Sequence, residues 1–186
     1  MAKSGVSGRR ALLAGSGAFF LAALVGAGSQ TVVGNLASLP LAFGLLLMVV
    51  LAGIIFDIIG VAATAARETG LHAKAARRVA GAKQALNLVR NAHHVASFCN
   101  DMVGDICATL SGAMGAVIVF RLAEPENRLW AGILMTAAIS GATIGGKAWC
   151  KGLAIGRADE ITFQVGRLLY GLQQGLMTLG RRKGKR

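Results

Sequence analysis

Residues 39–66 read LPLAFGLLLMVVLAGIIFDIIGVAATAA, with Asp57 as their single charged side chain. A helix needs roughly 20 apolar residues to cross the hydrocarbon core of a bilayer, and this run meets that length. Other apolar runs cover residues 11–27, 95–120 and 129–149, of which the first is marginal in length. Because lipid offers no partners to backbone polar groups, we expect packed helices. The predicted fold is an all-α membrane protein with a three-helix transmembrane core and one extra N-terminal apolar helix.

The runs divide the chain into three predicted segments. Residues 1–38 form a basic segment with the extra apolar helix, residues 39–157 form the transmembrane domain, and residues 158–186 form an amphipathic helix with a basic tail. The first run also has the basic, apolar and small-residue parts of a secretory signal. The first apolar run is therefore either a cleaved signal or a retained helix. The absence of a clear Ala-x-Ala cleavage site favours the retained helix.

The charge pattern predicts the orientation. The net charge is +12, and the basic residues concentrate before the first run, in residues 67–94 and after the fourth run. By contrast, residues 29–38 are uncharged and residues 121–128 balance two Arg with two Glu. The positive-inside rule then predicts a multi-pass protein with both termini and residues 67–94 in the cytoplasm. The expected location, a bacterial-type inner membrane, is what the family resemblance described below implies. The basic face fits anionic lipid headgroups, and nucleic acid is not an expected partner.

Two segments outside the apolar runs show helical periodicity. Residues 67–94 form a predicted cytoplasmic belt of one or two interfacial helices, interrupted at Gly70 and Gly81. Residues 158–186 begin with acidic side chains that suit a helix start, and either anchor the chain at the interface or contact another subunit. The apolar positions are Leu71, Ala75, Val79, Ala82, Leu86 and Val89 in the belt, and Ile161, Val165, Leu168, Leu169, Leu172, Leu176 and Leu179 in the C-terminal helix.

Three acidic side chains, Asp57, Asp101 and Asp105, lie inside apolar runs, whereas the other five acids lie in polar segments. An intramembrane carboxylate costs several kcal/mol unless it is compensated, so each marks a candidate functional site. Asp101 and Asp105 are four residues apart and share a helix face, which Ser97 extends and Asn100 flanks. Such carboxylates repel each other in a low-dielectric site unless a proton or a cation neutralises them.

The oxygen-only ligand set suits a hard cation such as Mg²⁺, Ca²⁺ or Na⁺ rather than zinc. Two alternatives remain open: a structural ion pair, for which Lys147 is the candidate charge partner, and a proton relay. The sequence contains no nucleophile elbow, P-loop, HExxH or CxxC pattern, so we expect no enzyme activity and no catalytic residue.

Residues 39–151 carry several motif-like stretches. FDIIGVA (56–62) is similar to a Phe-Ser-x-Ser-Glu-Thr-Ala-like motif, and GAKQALNLV (81–89) is similar to Gly-x-x-x-Ala followed by Leu. The spacing of Asp101 and Asp105 matches that of two Asn residues, and GKAWCK (146–151) stands where Gly-Glu-x-x-Pro-Lys is expected. Together these stretches resemble the membrane domain of the cyclin M proteins and the bacterial CorB/CorC magnesium transporters.

The resemblance implies a homodimer that holds a cation between the first two family helices near the middle of the membrane. Gly60 and Lys147 stand where the family has Glu, and Cys150 stands where it has Pro. The chain contains no CBS domain, so regulation by nucleotide is not expected. The predicted metal ligands are Asp57, Asp101 and Asp105, which the resemblance supports, with Ser97 and Asn100 added from their helix positions.

These observations predict a divalent cation transporter or ion-binding membrane protein. Mg²⁺ is the first candidate as bound or transported ion, and Na⁺ or another divalent cation is an alternative. A non-transporting membrane scaffold with carboxylate–lysine pairing, and a proton-coupled carrier of another solute, are the alternative functions.

Overall fold

The computed structural model describes the backbone of residues 8–35 and 39–183, and the side chains of residues 15–28, 31 and 39–175. These residues are helical and contain no strand. The described side chains therefore do not include the basic tail, which begins at Arg181, or two positions of the predicted C-terminal stripe, Leu176 and Leu179. The helices are α1 (Gly8–Asn35), α2 (Leu39–Ala65), α3 (Glu68–Ala76), α4 (Ala82–Arg90), α5 (Ala92–Ala96), α6 (Gly104–Leu122), α7 (Arg128–Gly156) and α8 (Ala158–Lys183), with a π-helical segment (Ser97–Val103) joining α5 to α6.

Three helices are long and apolar enough to cross a membrane, namely Leu39–Ala65, Ala92–Leu122 and Arg128–Gly156. They confirm the three long apolar runs of the sequence, and they are compatible with a membrane protein. The apolar part of α1, Gly15–Gly28, is shorter than these three. The helix itself continues to Asn35, well into the uncharged segment 29–38. Residues 28–35 contain no proline and no charge that would end it.

The described parts of residues 1–53 and 105–143 form one compact unit, called unit 1. Small residues bring its helices close together. A Cβ placed on Gly53 would lie 3.0 Å from Cys107 Cβ, and one placed on Gly115 would lie 2.5 Å from Ile139 Cδ1. The first contact joins α2 to α6 and the second joins α6 to α7. The buried side chains of this unit include Leu46, Val50, Leu110, Ser111, Met114 and Ile118.

The described parts of residues 54–104 and 144–186 form a second compact unit, called unit 2. Here α4 lies directly against α8. Gly81 has a φ of +85°, which favours glycine because a Cβ is strained in that region. A Cβ placed on Gly166 would lie 2.6 Å from the backbone nitrogen of Ala85 and 2.6 Å from the Gly81 oxygen. The α4–α8 contact is therefore a backbone-to-backbone approach that excludes larger side chains.

The belt predicted for residues 67–94 contains two helices, and the interruption lies at Gly81 rather than at Gly70, which α3 includes. Leu71, Ala82 and Ala85 are fully buried, whereas Val79 lies in the connecting turn and is 41% exposed. The predicted apolar stripe was therefore wrong at Val79. The close approach of α8 selects small side chains on α4, and the turn removes Val79 from the helical register.

Candidate functional site

Asp57 lies within α2, and its nearest charged neighbour is on α7. Lys147 Nζ lies 3.6 Å from Asp57 Oδ1, and the two side chains are 27% and 18% exposed. Both residues belong to unit 2. The structure therefore brings together the carboxylate and the lysine that the sequence offered as its candidate charge partner.

Asn100 contacts the same part of α2, at Gly60. Its side-chain amide contacts Gly60 so closely that a Cβ on Gly60 would collide with Oδ1. The Oδ1 atom is buried and has no hydrogen-bond partner among the described residues. A buried polar atom without a partner is uncommon and costs about 1–3 kcal/mol. This oxygen is therefore an unused acceptor inside the protein.

The two contacts are neighbours. Asp57 and Gly60 are three residues apart on α2, so they lie on the same helix face. Lys147 Nζ also approaches Gly104, where a Cβ would lie 3.4 Å away. We call Asp57, Asn100 and Lys147 the polar cluster. It contains one carboxylate, one amide oxygen without a donor and one ammonium group, contributed by α2, the π-helical segment and α7.

The backbone at Asn100 is unusual. Residues Ser97–Val103 form a π-helical segment, and the Gly104 N–H donates to the Cys99 carbonyl, which is an i→i+5 bond. Such turns are rare inside α-helices and occur frequently at functional sites. In this segment Asn100 is directed inward, whereas Ser97 and Asp101 are exposed. The wider turn thus separates the amide from the other polar side chains predicted as ligands.

The remaining predicted ligand, Asp105, belongs to unit 1. It lies in the first turn of α6 and is exposed, and its backbone carbonyl accepts a hydrogen bond from Thr109 Oγ1 at 2.8 Å. Among the side chains that the structure describes, no group of three or more His, Cys, Asp or Glu residues is placed to hold a metal ion. Asp57 and Asn100 are the predicted ligands that the fold partly shields from solvent.

Two features of unit 2 were not predicted from the sequence. Glu68 accepts hydrogen bonds from His72 Nε2 at 3.1 Å and from Arg90 Nε at 3.4 Å, which joins α3 to the end of α4. The His72 hydrogen bond, with a smaller effect of Arg90, holds the pKa of the Glu68 carboxyl below its usual value. Asp159 Oδ1 accepts from the Arg67 N–H at 2.7 Å, so the start of α8 binds the start of α3. The i,i+4 spacing of Glu68 and His72 is visible in the sequence, but the other partners are distant in the chain.

Over residues 8–35 and 39–183 the protein is thus all-helical, with three apolar helices of membrane length and a polar cluster within unit 2. Comparison with protein-family models, with curated proteins and with solved structures finds no match.

Proposed function

We propose that this chain is a multi-pass inner-membrane protein that binds and transports a divalent cation, Mg²⁺ first. The observation that carries the proposal is the buried Asn100 Oδ1, which lacks a donor and lies next to the helix face that bears Asp57. Carboxylate and amide oxygens are the ligands that Mg²⁺ and Ca²⁺ take from proteins. An oxygen without a hydrogen-bond donor is free to bind a cation.

Lys147 would act as the resident counter-charge when no cation is bound. The 3.6 Å separation from Asp57 exceeds the 2.7–3.2 Å range of a hydrogen bond, so the ion pair leaves the carboxylate lone pairs largely unused. An arriving cation would displace the ammonium group from Asp57 and add Asn100 Oδ1 as a ligand. The return of the ammonium group would then favour release.

Outside the polar cluster, the exposed side chains of Ser97, Asp101 and Asp105 would help to attract the cation. Exposed carboxylates on an apolar helix attract a cation and lower its desolvation cost. The resemblance to the CorB/CorC family supports the same helices as the ion-binding elements and a homodimer as the functional assembly. In a dimer, a second copy would supply further ligands to a cation bound by these side chains.

The orientation can be tested separately from ion binding. We expect both termini and the α3–α4 region in the cytoplasm. In spheroplasts, a thiol reagent that does not cross membranes should label Pro125→Cys but not Ala76→Cys, each in a background without native cysteines. The opposite labelling pattern, or labelling of both sites in intact spheroplasts, would contradict the orientation.

Ion binding is tested by the thermal stability of the detergent-solubilised protein during titration with Mg²⁺, Mn²⁺, Ca²⁺ and Na⁺. A ligand that binds the folded state stabilises it by about 2.7 kcal/mol at a concentration 100 times its Kd. We expect stabilisation by Mg²⁺ that is lost in Asp57→Asn and reduced in Asp101→Asn. The matched control is Glu126→Gln, which removes an exposed carboxylate outside the apolar helices. Absence of stabilisation by every ion, or equal stabilisation of Asp57→Asn and wild type, would refute the site.

The Lys147–Asp57 pair also supports a second candidate function, a non-transporting membrane scaffold. In that case the pair is purely structural, and the basic α3–α4 region recruits a soluble partner. The two proposals differ in the outcome of Lys147→Met. A transporter whose lysine competes with the ion should bind Mg²⁺ more tightly in this variant, whereas a scaffold should lose stability without any response to ions.

A further inference from the structure

A long groove runs along the surface of unit 1 between α6 and α7. Its volume is about 720 Å³. Gly115 allows α7 to approach α6 closely, because a Cβ there would lie 2.5 Å from Ile139 Cδ1. The walls are almost entirely apolar, and the helix positions on the α7 side extend from Arg128 to Ser140.

One end of the groove carries a positive charge. Arg128 is part-buried, and its Nε donates to the Ala123 carbonyl at 3.2 Å. Its guanidinium carbon lies 4.2 Å from the centre of the Phe120 ring. These two contacts hold the cation at the mouth of the groove. The ion pairs found within the described part of the chain join His72 and Arg90 to Glu68, and Lys147 to Asp57, so Arg128 takes part in none of them.

The length of the groove matches one leaflet of a bilayer. The twelve helical steps from Arg128 to Ser140 rise about 18 Å at 1.5 Å per residue. One leaflet contributes half of a hydrocarbon core about 30 Å thick. Arg128 is the first residue of α7, two residues before Trp130, whose indole is exposed. Tryptophan side chains are enriched at the membrane–water interface. The apolar part of the groove would therefore lie at the depth of acyl chains.

We infer that this groove binds an anionic phospholipid, with an acyl chain between α6 and α7 and the phosphate at Arg128. The inference rests on the membrane location that we propose for the chain, but not on cation transport. A guanidinium recognises phosphate through paired hydrogen bonds, which a neutral groove end could not provide. Charge complementarity thus favours an anionic headgroup, and the apolar walls of the groove favour an acyl chain.

Native mass spectrometry of the detergent-purified chain tests the inference. The protein is mixed with phosphatidylglycerol or phosphatidylcholine of identical acyl chains, in the presence of a chelator so that divalent cations play no part. We expect wild type to bind phosphatidylglycerol about tenfold more tightly, because the trimethylammonium group of phosphatidylcholine offsets the phosphate charge and is repelled by the Arg128 guanidinium. Arg128→Gln should abolish this preference, and Arg128→Lys should retain part of it.

A pair of glycine substitutions on α7 tests the groove itself. A Cβ on Gly132 or on Gly141 would meet nothing within 4 Å, so both positions accept a larger side chain. Gly132 lines the groove and Gly141 does not. We expect Gly132→Leu to reduce binding of both phospholipids and Gly141→Leu to leave binding unchanged, with thermal unfolding confirming that both variants fold.

Several results would overturn the inference. Equal binding of the two phospholipids to wild type would remove the headgroup preference, and unchanged binding to Gly132→Leu would place the lipid elsewhere. Displacement of phosphatidylglycerol by an equal concentration of a fatty acid would replace phosphate by carboxylate as the recognised group. Because the chelator is present throughout, lipid binding can succeed when the cation titration fails, and the reverse also holds.

Discussion

Lys147 Nζ lies 3.6 Å from Asp57 Oδ1, and both side chains are mostly shielded from solvent on two apolar helices. Each residue alone would be an uncompensated charge in an apolar segment. Together they are neutral, which allows α2 and α7 to contain a carboxylate and an ammonium group at this level. The pair thus explains why two helices of membrane length tolerate these charges.

We predict that Lys147→Met destabilises the protein by about 3 kcal/mol, because it leaves the Asp57 charge without a partner. Adding Asp57→Asn should recover most of the loss, since the double variant has no uncompensated charge. Lys151→Met, which removes an exposed lysine one turn further along α7, is the control and should have little effect. Unfolding in detergent in the absence of divalent cations measures all four proteins. A double variant as unstable as Lys147→Met would show that the pair does not compensate either charge.

We predict that Gly60→Ala destabilises the protein by about 1–3 kcal/mol, because the new methyl group collides with the Asn100 amide. Asn100→Ala should relieve the collision in the double variant. Gly44→Ala on the same helix is the control, since a Cβ there meets nothing within 4 Å. Thermal unfolding of the four variants checks the prediction, and additive losses in the double variant would contradict the contact.

Asn100→Ala alone should have opposite effects in two measurements. It removes a buried acceptor without a partner, so the ion-free protein should be as stable as wild type or more stable by up to about 1–3 kcal/mol. It should also diminish stabilisation by Mg²⁺, because it deletes a proposed ligand. Thermal unfolding with Mg²⁺ and with a chelator measures both effects. A loss of stability in the chelator alone would indicate that the amide is structural.

We predict that Gly166→Ala loosens the α4–α8 contact and costs about 2–3 kcal/mol, because the backbone of Gly81 and Ala85 cannot move aside. Gly171→Ala, on the same helix but in open space, should instead be neutral or stabilise by up to about 1 kcal/mol through helix propensity. Hydrogen exchange of the α4 amides is the direct measurement. Equal protection of these amides in both variants would show that the contact does not stabilise α4.

The Glu68 cluster should make the α3–α4 region sensitive to acid. The pKa of Glu68 is lower in the folded state than its usual value of 4.5. The stability that the ionised Glu68 carboxylate contributes is therefore fully present above pH 4.5 and is lost as the pH falls through the lower folded-state pKa. Glu68→Gln should remove this dependence, whereas Glu126→Gln should preserve it. Hydrogen exchange of α3 amides as a function of pH measures the difference, and identical acid profiles of Glu68→Gln and wild type would contradict the prediction.

Residue patterns were sufficient to locate the apolar helices and to identify the residues worth testing. Continuous apolar runs specify long helices whatever their neighbours, so the predicted runs and the helices at Leu39–Ala65, Ala92–Leu122 and Arg128–Gly156 agree. The belt was predicted to be interrupted at both Gly70 and Gly81, but α3 continues through Gly70, and the interruption lies at Gly81, which has a positive φ. Local spacing could not make that choice, because a glycine in the middle of a helix looks the same in the sequence as one in a turn.

The sequence by itself determined where the three long apolar helices are, which carboxylates they carry and that Lys147 was a candidate partner for them. Those properties depend on composition and on neighbours within a few residues. Only the tertiary structure decided that Lys147 pairs with Asp57, that the Asn100 amide packs against Gly60 while Ser97 and Asp101 are exposed, and that α6 and α7 line a groove. These features depend on contacts between residues far apart in the chain, and on a π-helical turn that rotates side chains away from the positions that α-helical spacing predicts.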